Sequence, residues 1–160
     1  MSDDIYGQDM TVEELVEVVQ REELYTSMKA IAALAALGDR SVEPLMQMLT
    51  RGEHSERWRA AIALARVGQH SVEPLINAAV SQSESVRNPA VWALAEIGDP
   101  RAVQPLISIL HNEDSECCRI LTAAALLKIG DPAGVTEVHR EYERSGEDFI
   151  GKVTEAREGS

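Results

Sequence analysis

AALAALGDRSVEPLMQML, residues 32–49, is written three more times in this chain: AIALARVGQHSVEPLINA at 61–78, VWALAEIGDPRAVQPLIS at 91–108 and, more loosely, AAALLKIGDPAGVTEVHR at 123–140. The shared glycine falls at Gly38, Gly68, Gly98 and Gly130, a period of 30 to 32 residues. Each copy holds two short amphipathic segments split by Gly-Asp or Gly-Gln. One such unit cannot bury its apolar face alone, so neighbours must stack against it, and the pattern predicts a helical solenoid.

Counting back from the glycine, Leu34, Leu64, Leu94 and Leu126 lie four residues before it, and Ala33, Ala63, Ala93 and Ala125 five before. Ala30, Ala60, Ala90 and Thr122 lie eight before. Positions one, four, five and eight back share one side of a helix, and small residues there let helices approach closely. The glycine is expected to end that helix in the left-handed conformation. A second stripe follows: Val42, Leu45, Met46, Leu49; then Val72, Leu75, Ile76, Ala79; then Val103, Leu106, Ile107, Leu110. Ser41 and Ser71 are read as its N-caps, with Pro44 and Pro74 in the first turn, where a missing N–H is tolerated.

The second pattern also occurs once ahead of the first full unit, as Val12, Leu15, Val16 and Val19, behind a Thr11–Glu14 capping box. At the other end Phe149, Val153 and Ala156 predict a closing helix, with Phe149 over the open core. The expected organisation is a disordered acidic segment at 1–10, then one domain at 11–157. Within it lie a half unit at 11–22, repeats near 24–51, 54–82, 84–112 and 115–144, and a capping helix near 147–157.

The net charge is −12, and the acidity belongs mostly to the ends. Residues 1–24 carry eight acids and one base, 25–136 twelve and ten, and 137–160 seven and four. That balance opposes nucleic acid, whose phosphates require an excess of Lys and Arg. Cys117 and Cys118 are adjacent and close no useful loop, which fits a reducing compartment. The opening MSDDIYGQDM has no apolar signal core, and no run is long enough to span a bilayer. A cytoplasmic protein is expected, with neither nucleic acid nor membrane as a partner.

The run VRNPAVWALAEIGDPRAVQPLISIL, residues 86–110, resembles the HEAT-like repeat found in phycobiliprotein bilin lyases, and the resemblance covers about residues 26–144. The arginine eleven before the glycine matches at Arg57, Arg87 and Arg119, while Ser27 departs from it. The resemblance implies an all-α, right-handed α-α superhelix of four helical-hairpin repeats, with an N-terminal half repeat and a C-terminal cap. Families with this repeat include bilin lyases, deoxyhypusine hydroxylase, base-excision glycosylases and adaptors. The hydroxylase binds iron through His-Glu pairs, but here the histidines precede Ser55, Ser71, Asn112 and Arg140. The glycosylases need a cationic groove, which the charge opposes.

Two faces are candidate binding surfaces. In stacks of this kind the second helices line the concave side, where Gln47, Asn77, Ser108 and Arg140 form a polar ladder beside Arg51. Met48 and Ile109 are expected at its rim as apolar contacts for an extended partner. On the first helices, positions ten and six before the glycine point outward, yet they hold Met28, Trp58, Ile62, Trp92 and Ile120. Large apolar residues there suggest a contact patch, and a homodimer through Trp58 and Trp92 is its simplest use. His139, at an apolar position of the second stripe, is read as half-buried. No phosphate loop, nucleophile elbow, paired-carboxylate motif or histidine ligand spacing occurs. The expected function is therefore a non-enzymatic scaffold or adaptor for a protein partner, with no cofactor and no metal. By resemblance, the alternative is a subunit of a bilin lyase or redox enzyme.

Overall fold

The computed structural model describes residues 10–21 and 24–158; the segment expected to be disordered falls, but for Met10, outside them. The described residues form ten α-helices and no strand. They are α1 (Val12–Arg21), α2 (Leu24–Leu37), α3 (Val42–Arg51), α4 (His54–Val67), α5 (Val72–Ala79), α6 (Glu84–Ile97), α7 (Val103–Asn112), α8 (Glu116–Ile129), α9 (Pro132–Ser145) and α10 (Glu147–Glu158).

The helices alternate between two layers in chain order. α2, α4, α6, α8 and α10 pack side by side in one layer, and α1, α3, α5, α7 and α9 form the other. α10 sits on α8 as α8 sits on α6, so the closing helix occupies the first-helix place of a further unit. Its Phe149 and Val153 are buried, and the Arg119 guanidinium lies 5.6 Å from the centre of the Phe149 ring.

The seam between the layers explains the repeat. Leu34, Leu64, Leu94 and Leu126 are fully buried, as are Ala30, Ala60, Ala90 and Thr122. With alanine or, in the fourth unit, threonine eight before the glycine, the first helices touch along much of their length, whereas the second helices meet more sparsely. The seam is also wider than the sequence stripe. Ile31, Ala61, Val91 and Ala123, seven before the glycine, are buried, while the residues one before it are only half-buried.

The turn glycines have φ of 60°, 81°, 71° and 75°, and at the first three a β-carbon would meet nothing within 4 Å. The demand for glycine there comes from the backbone conformation, since space is available. In the first three units a short 3-10 turn then leads into the second helix. Ser41 does not act as the expected N-cap. That 3-10 turn holds it in helical φ/ψ, so its Oγ instead donates to the Leu34 carbonyl at 2.7 Å, tying the second helix to the first. Ser71 makes no cap bond either. The Thr11–Glu14 box does form, with Thr11 N donating to Glu14 Oε2 at 2.8 Å and Glu14 N to Thr11 Oγ1 at 3.2 Å.

In the third unit the turn is closed by Asp99, whose carboxylate accepts from the Arg101 backbone N–H at 2.9 Å and from the Arg101 guanidinium. The side-chain bond from Arg101 is the chief reason that the Asp99 carboxyl is held below its usual range. A depressed carboxylate contributes stability that is present above the ordinary aspartate value, about 4, and is lost as pH falls through the lowered one. Asp99→Asn is therefore expected to be less stable than the native chain at neutral pH. The gap should close as acid is added below pH about 4; urea midpoints of both proteins across that window measure it.

Candidate binding site

The helix phase places the predicted ladder on the surface. Gln47 on α3, Asn77 on α5, Ser108 on α7 and Arg140 on α9 are all exposed at the same register, and Arg51 is exposed beside them. The amide of Asn112 donates to the Ser108 carbonyl at 2.8 Å, which holds the end of α7. Arg140 pairs with Glu137, and His111 Nε2 lies 3.1 Å from the other Glu137 oxygen, so α7 and α9 are bridged at that end of the ladder.

Met48 and Ile109 are not rim residues. They are 3% and 7% exposed and belong to the core. Successive helical residues turn by about 100°, so Met48 lies about 60° from Leu45 on the helix barrel, inside the buried arc, whereas Met46 lies about 100° away on its edge. The apolar shoulders of the face are consequently Met46, Ile76 and Ile107, each half-buried against the core. They stood in the sequence stripe, four residues after each valine. The signal that could have found them was their position at the edge of that stripe.

The sparser spacing of the second helices opens grooves between them. Between α1 and α3 a groove of about 420 Å³ runs from Glu13, Val16 and Gln20 to Gln47 and Arg51, with Met48 among its lining residues. Between α7 and α9 one of about 400 Å³ is walled by Gln104 and Ile107 on one side and by Pro132, Thr136 and Arg140 on the other.

The opposite face is built from the first helices. Met28, Trp58, Ile62, Trp92 and Ile120 are all half-buried, neither fully core nor fully outside. The Trp58 and Trp92 rings meet edge to face, with centroids 6.1 Å apart and planes at 73°, an arrangement favoured by their quadrupoles. Beside Trp58 lies a cleft of about 530 Å³, lined by Asn88, Cys117, Ile120 and Leu121. Cys117 is exposed there, whereas Cys118 is buried, and burial pushes its thiol pKa up.

The repeated arginines serve the stack. Arg57 on α4 donates to Ser85 on α6, Arg87 on α6 pairs with Glu113 at 3.0 Å, and Arg119 on α8 pairs with Glu141 on α9. Arg57 and Arg119 reach another helix, and Arg87 reaches the residue that follows α7. His139, expected to be half-buried, is exposed because it lies on the solvent side of α9. Among the described residues no group of three or more His, Cys, Asp and Glu is gathered where it could hold a metal ion, and no helix is long and apolar enough to cross a membrane.

Two layers of helices in chain order, joined by one apolar seam and offering a grooved polar face, define an α-solenoid, an architecture typical of protein-interaction scaffolds. A family model described as HEAT repeats matches residues 42–127, more than half of the chain, and one described as PBS lyase HEAT-like repeat matches residues 28–51. The chain belongs to the HEAT repeat family. No curated protein matches it. Among solved structures, it is similar to a designed armadillo repeat protein in complex with the peptide (KR)4. The identity is 17% and the TM-score 0.48, over 92% of this chain and 80% of that one.

Proposed function

We propose that this chain is a non-enzymatic scaffold that lays an extended protein segment across the second-helix face, with the tryptophan-bearing outer face as a second, apolar contact surface. The observation that carries the reading is the common register of Gln47, Asn77 and Ser108, all exposed, each with an apolar shoulder one residue before it at Met46, Ile76 and Ile107. Closely packed helices stand about 10 Å apart, the second helices are spaced more widely, and an extended chain rises about 3.3 Å per residue, so a segment crossing the layer meets one rung roughly every three to four residues. Side-chain amides and a hydroxyl can both donate to and accept from its backbone, and the shoulders and grooves can take its side chains.

The exposed carboxylates of Glu13, Glu14 and Glu43 on these helices favour a cationic segment, in keeping with the net charge of −12. The free thiols of Cys117 and Cys118 support a cytoplasmic place of action.

The test uses a library of linear peptides displayed and selected against the chain. Replacing Gln47, Asn77 and Ser108 together with Ala is expected to weaken a selected peptide roughly tenfold or more, the loss of two or three net hydrogen bonds. The urea midpoint should not move, because these side chains are exposed. Unchanged affinity in the triple variant would reject the reading.

A further inference from the structure

We propose that the outer face pairs with a second copy of this chain, Trp58 and Ile120 of each copy packing into the cleft of the other about a two-fold axis. This rests on the reading of that face as a contact surface and names its occupant. The cleft spans four consecutive first helices, with Trp58 on α4, Asn88 on α6, Ile120 and Leu121 on α8 and Ala156 on α10. Its volume, about 530 Å³, accepts a large side chain, and apolar atoms dominate its wall. Next to it lies a small recess between Trp92, Ala95, Leu121 and Ala124, so the apolar surface continues toward the C-terminal ends of α6 and α8.

Charge selects the occupant. The charged side chains lining the cleft and the recess are Glu116, Lys152, Glu96 and Lys128, and they are paired with one another: Lys152 with Glu116, Lys128 with Glu96. The patch is therefore neutral within itself, on a chain whose net charge is −12. A two-fold interface sets one patch against itself, so a patch of one sign repels its copy, whereas an apolar centre between internally paired charges does not. The second-helix face is less balanced, with Glu13, Glu14 and Glu43 exposed beside Glu17, which pairs with Arg21. A strongly charged partner finds nothing to complement on the outer face, but a second neutral patch does.

Sedimentation of the full chain over a hundredfold dilution from about 100 µM reads the association. The expected result is a species of twice 17.5 kDa at the upper end that dissociates on dilution. Two variants locate the interface. Trp58→Ala removes the packing group, and Lys128→Glu with Lys152→Glu turns the neutral patch acidic using only side chains at the surface. Each is expected to weaken pairing roughly tenfold or more.

A native chain that stays monomeric at the highest concentration overturns the proposal, and so does a dimer that survives both variants. If Trp58→Ala loses helicity, the ring is core and the contact-surface reading itself fails. A folded Trp58→Ala protein beside a monomeric native chain defeats only the pairing.

Discussion

Leu94→Ala is expected to lower the free energy of unfolding by about 3 kcal/mol and Tm by on the order of 10 °C, while the melt remains a single transition. Leu94 is fully buried on α6, a helix that packs on α4 and α8 within its own layer and on α5 across the seam. Truncation removes its transfer free energy and leaves a cavity that these three neighbours can close only in part. Because α6 touches helices on both sides of it in chain order, the loss is shared along the seam. Urea unfolding followed by circular dichroism, with the native slope retained, gives the value. Two separated transitions would mean that the repeats do not share one core.

Ala90→Leu is expected to destabilise by about 2–3 kcal/mol, for the opposite reason. Ala90 has no exposed surface and lies on the face of α6 buried between its neighbours in the first-helix layer. Across the four units, the largest side chain at this position is that of Thr122. Its hydroxyl is accommodated by donating to the Cys118 carbonyl at 2.7 Å. A leucine there must push α6 from its neighbours or leave its preferred rotamer, and either response weakens the close layer. The same chemical denaturation measures it. A fully stable Ala90→Leu protein would show that the first helices are not held at alanine distance.

The repeat made most of this fold legible. Leucine four before the glycine and alanine, or Thr122, eight before it are fully buried in every unit, because a helix that stacks on similar neighbours must keep the same positions inward. The turn glycines were equally readable, since each has a positive φ that favours glycine; Gly98 and Gly130 end their helices in the left-handed conformation, whereas Gly68, with ψ of −130°, departs from it.

The exposure of Gln47, Asn77 and Ser108 was readable, whereas Met48 and Ile109 were misplaced by one edge. Residues at the fourth and the sixth position after the valine are both apolar, and the width of the buried arc, which takes in the sixth but only the edge of the fourth, is set by the neighbouring helices. Pro89 shows the same limit from another side. It lacks an N–H and locally disfavours a helix, yet it sits buried within α6, where packing on both neighbours overrides the local preference. Nothing in the sequence revealed that the charged groups around Trp58 and Trp92 would pair among themselves, because those pairs join helices about 32 to 36 residues apart.

The most direct test of the second-helix face as a binding surface is the mapping of amide chemical shifts while a selected peptide is titrated into the labelled chain. Shifts are expected to run in a line across the layer, at Gln47, Asn77 and Ser108 and at their shoulders Met46, Ile76 and Ile107. Shifts confined to the outer residues of α4, α6 and α8, with that line unmoved, would contradict it.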